Sequence, residues 1–261
     1  MNAADVLAAA AGVDVIVHAV NPPGYRNWKG LAMPMLESSI AAAKASGARI
    51  LFPGTVYNFG LDVFPTVTER SPQNPTTRKG AIRVAMERRL SEASREGVRT
   101  LVVRAGDFFG SGAGNSWFAQ IAAPGAPLRK VVYPGRPDVG HSWAYLPDLA
   151  ETMAQLLERE AELSPFEVFH FEGHWLERGI AMAEAVRAAS GRDLPIRRFP
   201  WIAALLASPF VELLRELREM RYLWEQPLRL DNAKLLGFLG REPHTPLDQA
   251  VRATLAANGC L

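Results

Sequence analysis

"VDVIVHAV", residues 13–20, is short, β-branched and apolar at nearly every position. A strand with one wet face would alternate apolar and polar residues, so this pattern predicts a strand covered on both faces, as in a parallel sheet. Segments of the same kind follow: "ARILFPG" (48–54), "VRTLVVRAG" (98–106) and "FEVFHFEG" (166–173). Helical stretches separate them, over residues 29–46 before Gly47, about 79–95 before Gly97, and 148–160, "DLAETMAQLLERE". Glycine just past a helix accepts the left-handed backbone that ends it. Repeated strand–helix–strand units predict an α/β fold built on a doubly wound parallel sheet.

Beyond residue 173 the character changes. "LERGIAMAEAVRAASG" and the helices after it are joined by Pro-rich connections without a clear strand pattern. The reading is a sheet domain over 1–173 and a smaller, mainly helical substrate lobe over 174–261, to which 110–142 contribute. The cleft between them is the expected ligand site. "PWIAALLASPFVELL" (200–214) is too short to cross a bilayer and is split by Pro209. It reads as a packed helix pair, or else as an interfacial or lid segment. The apolar run over residues 3–20 is not a leader by pattern, because Asp5 and Asp14 interrupt it and no Lys or Arg precedes it.

Composition narrows the function classes. Of 261 residues 48% are apolar and 21% charged, an ordinary globular mixture. A net charge of +2, with no basic tract interleaved with aromatics, gives no reason to expect nucleic acid, and no membrane partner is expected. The single cysteine, Cys260, rules out an intrachain disulfide and points to a reducing compartment, the cytoplasm. His141, His170 and His174 show neither helical i,i+4 pairing nor a cysteine partner, so no metal site is expected.

Two features set the N-terminal half apart. A dinucleotide-binding sheet normally opens with a strand and a Gly-rich turn whose N–H groups meet the pyrophosphate. The ten residues "MNAADVLAAA" read instead as a short helix. "GSGAG" (110–114) has the glycines, but it follows a late strand and lacks an acidic residue ~20 positions on, so it reads as a flexible turn. As first strand, 13–20 would also lie at a sheet edge, which proteins usually blunt with charge or proline. Asp14 is its only charge. Either neighbouring strands are missing or another chain, as in a homodimer, covers the edge.

Five segments in order, with a sixth near the end, resemble the extended short-chain dehydrogenase/reductase superfamily, in its NAD-dependent epimerase/dehydratase group. "VDVIVHAVN" is similar to that family's fourth strand and cofactor-lining turn, and "ILFPGTVYNFG" to its Ser-Ser-x-x-Val-Tyr-Gly segment. "PTTRKGAIRVAME" (75–87) lies over the Tyr-x-x-x-Lys helix. "LVVRAGDFFGSG" resembles the Arg-x-x-x-x-Tyr-Gly-Pro turn, "HSWAYLPDLAE" the aromatic-x-x-Val-x-Asp-Val-Ala segment, and "LRLDNAKLLGFLGREPHTPL" the Leu-Asp-x-x-Lys…Leu-Gly-x-x-Pro close. The resemblance implies a Rossmann-like domain, NAD or NADP as cofactor, and a small-molecule substrate. It implies cofactor contacts at His18, Ala19 and Asn21 around the end of the first strand, and at Arg104 and Gly106 at the end of the third. It further implies that the family's first three strands and their Gly-x-x-Gly-x-x-Gly loop, roughly sixty residues from βαβ units of ~30, are absent through a mis-called start or a truncated gene model. Binding of NAD(P) would then be impaired.

The resemblance also exposes an altered site. The family's catalytic Tyr, Lys and Ser positions fall on Lys79, Arg83 and Pro53, and Thr55 and Tyr57 are the nearest hydroxyls. The expected catalytic set is therefore Lys79, Arg83, Thr55 and Tyr57. Residues four apart share a helix face, so Lys79, Arg83 and Glu87 can equally form a solvated edge with Arg83 paired to Glu87, beside an apolar stripe of Ile82, Met86 and Leu90. Facing a cleft, two cations near a helix N-terminus would attract an anion. Lys79 could then carry a proton, whereas Arg83 stays charged and can hold a carboxylate or phosphate. The expected function is an NAD(P)-dependent oxidoreductase or epimerase/dehydratase-like protein acting on a small polar, anionic substrate. The alternative is a non-catalytic binding or regulatory protein on the same scaffold. His18 can be a ligand contact or a core histidine, and Asp148 reads as an N-terminal helix residue. "GYRNW" (24–28) is an aromatic-basic loop cluster, equally a ligand contact or a surface turn.

Overall fold

The computed structural model describes residues 3–22, 27–113 and 116–261. In chain order the first elements are α1 (Ala3–Ala9), β1 (Val15–Val17), α2 (Trp28–Ser46), β2 (Arg49–Thr55), β3 (Thr66–Val67), α3 (Arg78–Arg95), β4 (Thr100–Ala105) and β5 (Asp107–Phe109). Then come α4 (Trp117–Ile121), β6 (Val131–Tyr133), β7 (His141–Tyr145), α5 (Leu146–Glu158), β8 (Phe166–His170), β9 (His174–Leu176) and α6 (Ala181–Ala189). The chain closes with β10 (Ile196–Arg198), α7 (Trp201–Ala207), α8 (Glu212–Glu219), β11 (Arg229–Leu230), α9 (Ala233–Leu239) and α10 (Leu247–Ala257).

The principal sheet is wholly parallel, in the order β1-β2-β4-β8. β2 and β4 lie inside it and are buried almost throughout, as their unbroken apolar sequences require. Helices cover both faces. On one, Leu36, Ile40 and Ala43 of α2 pack with Met86 and Leu90 of α3 over Ile50 and Phe52. On the other, Leu149, Met153 and Leu156 of α5 and Leu235 of α9 meet Leu101, Val103 and Phe169. This is the expected doubly wound α/β arrangement.

The first strand corrects one expectation. β1 is three residues long rather than eight, pairs with β2 alone, and is half-buried rather than covered. Val17 is 56% exposed, so this apolar strand is the sheet's open edge among the described residues. The region after residue 173 corrects another, because it does contain strands. β9 joins a small sheet ordered β5-β7-β9, β10 pairs with β6, and β11 pairs with β3. These strands of two or three residues are too short to show a period in sequence. Around them a second core gathers, with Phe109, Phe118, Trp143, Val186, Trp224 and Val251 at its centre.

Candidate active site

α3 begins where Thr77 caps it, its Oγ1 accepting from the Gly80 N–H at 3.0 Å. Gly80 is obligatory for packing: a Cβ there would stand 2.3 Å from the Tyr57 carbonyl oxygen. The turn after β2 thus lies directly on the first turn of α3. Within that turn the Tyr57 N–H donates to Thr55 Oγ1 at 3.2 Å. The sequence therefore brings Thr55, Tyr57 and the residues beside Gly80 together by one close backbone approach.

Lys79, Arg83 and Glu87 are all buried. The solvated-edge reading is therefore wrong: Arg78, Ala81, Ala85 and Arg88 form the exposed face of α3. Nor is Glu87 the partner of Arg83. Arg83 Nη2 donates to Asn21 Oδ1 at 3.0 Å, and its guanidinium carbon lies 5.1 Å from the Trp28 ring centroid and 5.3 Å from that of Phe52. Stacking of a planar guanidinium on aromatic rings is a site that lysine could not fill equally.

Glu87 belongs to a second network. Arg104 Nη2 donates to Glu87 Oε2 at 2.6 Å and Arg104 Nε to Oε1 at 3.1 Å, while Asn58 Nδ2 donates to Oε1 at 2.8 Å. Arg104 Nη1 lies 3.1 Å from His170 Nε2, whose other nitrogen lies 3.3 Å from the Val67 carbonyl oxygen. Burial, then Arg104, pushes the His170 imidazole down to about 3, so it is neutral at ordinary pH and accepts from Arg104. Arg104, expected at the cofactor, thus directs its side chain into this network behind α3.

His18 is buried at the end of β1, its Nδ1 2.8 Å from Ser39 Oγ and its ring stacked 5.8 Å from Phe52. Burial, then Arg83, lowers its pKa to about 4. Its Nε2 has no protein hydrogen-bond partner among the described residues. Ala19 and Asn21 beside it are exposed. Gly106 is packed against β7: a Cβ would fall 2.3 Å from the Ser142 carbonyl oxygen. Asp148 sits in the first turn of α5 and accepts from the Thr245 N–H and Thr245 hydroxyl, each at 2.7 Å. Gly110 and Gly112 of the glycine cluster have φ of +128° and +83°. Gly114 of that cluster, and Pro23 and Gly24–Arg26 of the loop after β1, lie outside the described residues.

One constellation was not found from sequence. The Tyr57 hydroxyl donates to Asp107 Oδ1 at 3.4 Å, and His141 Nε2 donates to Asp107 Oδ2 at 2.8 Å. His141 stacks face to face on Trp224, with centroids 3.9 Å apart at 12°. Tyr222 stands close enough for Asp107 to add to the burial that raises its hydroxyl pKa. The partners are 34 and 50 residues apart, on β5, β7 and the turn after β2, and only the fold makes them neighbours. Nearby, a recess of about 490 Å³ opens between the start of α3 and α8, lined by Thr76, Thr77, Arg78, Arg218, Glu219, Arg221, Tyr222 and Glu225. Arg78 Nε donates to Glu219 Oε1 across it at 2.7 Å. Among the described residues no group of His, Cys, Asp and Glu is arranged to hold a metal ion.

No protein-family model and no curated protein matches this chain. Solved structures do. A UDP-glucuronic acid 4-epimerase from Bacillus cereus in complex with NAD matches with a TM-score of 0.74 at 13% identity, over 98% of this chain and 77% of that one. UDP-N-acetylglucosamine 4-epimerase from Methanobrevibacter ruminantium, in complex with UDP-N-acetylmuramic acid, gives 0.73 at 12%, over 97% and 79%. UDP-glucose 4-epimerase from Thermotoga maritima with UDP-glucose gives 0.71 at 15%, over 98% and 81%. Sequence identities this low speak for architecture, and the architecture agrees along nearly the whole chain: its fold is that of the Rossmann-type sugar-nucleotide epimerases.

Proposed function

We propose that this chain is an atypical epimerase/dehydratase-like protein that binds a small anionic substrate, a nucleotide sugar or a related phosphate or carboxylate, between its sheet (residues 1–173) and its second lobe (174–261 with 110–142). The observation that carries the reading is the burial of Lys79 and Arg83 one turn apart on α3. Arg83 is further fixed by Asn21, Trp28 and Phe52. A guanidinium held this way is pre-oriented for an anion. Lys79 is the proton carrier of the pair, because Arg83 stays protonated. Thr55 and Tyr57 supply hydroxyls at the adjoining turn, and Asp107 and His141 orient the Tyr57 hydroxyl.

The fit to a dinucleotide is one-sided. His18 Nε2, buried without a protein partner at the end of β1, suits a ligand group closing over it. No glycine turn among the described residues offers N–H groups to a pyrophosphate there. NAD(P) should therefore bind weakly to this chain, and no step is assigned to it. The rival reading, a non-catalytic binding protein, is favoured by the replacement of the Tyr, Lys and Ser positions together. Titration calorimetry with NAD, NADP, UDP-glucose and UDP-glucuronate tests both. The proposal expects micromolar binding of at least one UDP-sugar, lost in Arg83→Met, and conversion of that sugar in a product assay. Binding without conversion selects the rival. Affinity that Lys79→Met and Arg83→Met leave unchanged removes the site.

A further inference from the structure

α7 and the turn after it present apolar side chains outward. Ile202 is 78% exposed, Leu206 72% and Phe210 89%, with Leu205 and Val211 beside them also exposed. The inner side of the same segment is filled by Ala204 and Ser208. This is an apolar stripe on the wrong side for a packed helix pair, and a soluble surface rarely gathers five large apolar residues within ten positions without using them. The sequence expectation of a packed pair holds only for the inner face.

Charge identifies what the stripe faces. From Leu194 to Val211 there is no acidic residue, and the only charges are Arg197 and Arg198, both exposed. They lie on β10, which leads into α7 through Phe199 and Pro200 and pairs with β6. Arg198 and Trp201 line one recess, whose acids Asp138 and Glu225 are paired with Arg136 and Arg221, and this places the end of the cationic strand beside the start of the apolar helix. Acids return only with α8, where Glu219 is engaged by Arg78. A two-fold self-contact through this run would offer its arginines no acidic counterpart, since Leu194–Val211 holds none. An anionic surface with an apolar interior satisfies both halves at once. At 1.5 Å per residue α7 is about 10 Å long, a length that lies in an interface rather than crossing it.

We propose that the α7 face, with Ile202, Leu206 and Phe210 as the inserting side chains and Arg197 and Arg198 as the flanking cations, docks this protein on an anionic phospholipid bilayer. The inference does not depend on the proposed function, and it sets aside the expectation of no membrane partner. No helix among the described residues is long and apolar enough to span a bilayer, so the contact is peripheral.

Sedimentation with vesicles tests it, using phosphatidylcholine alone and with roughly one third phosphatidylglycerol, a strongly anionic surface. The full chain should co-sediment with the mixed vesicles, far less with pure phosphatidylcholine, and less as salt is raised. Leu206→Ser with Phe210→Ser should weaken binding at least about tenfold, as loss of two buried apolar groups requires, with an unchanged circular dichroism spectrum because both are exposed. Arg197→Gln with Arg198→Gln should weaken it on anionic vesicles and flatten the salt dependence. Absence of binding to anionic vesicles overturns the proposal, as does binding that the Leu206 and Phe210 changes leave intact. A dimer by analytical ultracentrifugation that Phe210→Ser dissolves, without vesicle binding, would assign the face to a second copy. Altered UDP-glucose affinity in those variants, again without vesicle binding, would make it a lid.

Discussion

Arg83 Nη2 donates to Asn21 Oδ1 at 3.0 Å, so the turn leaving β1 is tied to the middle of α3 across 62 residues of sequence. The bond fixes the guanidinium while leaving its aromatic contacts with Trp28 and Phe52 in place. Because Asn21 is exposed, Asn21→Ala should lower stability only modestly, by ~1 kcal/mol or less, read as a shift in the urea midpoint. It should weaken anion binding more than it weakens folding. Equal loss in both would make the bond a structural tie only.

The Glu87–Arg104 pair lies deep beneath α3, with both side chains almost wholly enclosed. Removing one partner leaves the other charge buried, so Arg104→Met should cost about 3–5 kcal/mol. Glu87→Leu combined with Arg104→Met should recover much of that loss. Guanidinium denaturation of the two single variants and the double variant forms the required cycle.

Acid should destabilise the protein through histidines before its carboxylates titrate. Burial holds His18 and His174 down to about 4 and His170 down to about 3, with Arg83, His244 and Arg104 as the respective next causes. Each pKa is lower folded than unfolded, so the unfolded chain takes up the proton first. Stability is fully present above about pH 6.5, the unfolded value, and falls as pH drops towards 4. The combined loss should amount to several kcal/mol by pH 4. Glu242, raised by burial, works in the opposite direction. Denaturation midpoints between pH 8 and 4 would show the slope, and His170→Gln should reduce it.

At the open edge of the sheet Val17 stands largely in water, beside partly buried Ile16. Such an edge invites pairing with another chain. Light scattering should show concentration-dependent association, and Val17→Lys should suppress it with little change in melting temperature. A monomer at all concentrations, with unchanged hydrogen exchange over 15–17, would contradict this.

The sheet was legible because the interior strands β2 and β4 are apolar runs separated by helical stretches, with Gly47 and Gly97 at two of the helix ends. The order and spacing of the motif segments, none specific alone, made the likeness to the epimerase/dehydratase group readable. The row Lys79, Arg83, Glu87 was legible as one helix face, but its burial was not. Lys and Arg are usually exposed, and what covers Arg83 comes from Trp28 on α2 and Phe52 on β2. Asp107 and His141 sit on short strands inside two segments that carry the family likeness, but their pairing depends on β5 and β7 lying side by side. Pairs of this kind leave no local pattern to read.

β11 pairs with β3, the Arg229 N–H donating to the Pro65 carbonyl oxygen at 2.7 Å and the Asp231 N–H to that of Val67 at 2.8 Å. A chain emerging from the ribosome delivers the segment around β3 early and its partner strand only near the end of synthesis. Until then the loop leading to α3 has no edge to rest on, and Val67, which also receives His170, is held from one side alone. Closing a contact over so long a separation is slow. The sheet can therefore assemble during translation while the loop that presents Tyr57 and α3 waits for release of the C-terminal residues. Truncation before residue 229 should leave this loop unset, and it also takes the cover of Leu235 from one face of the sheet.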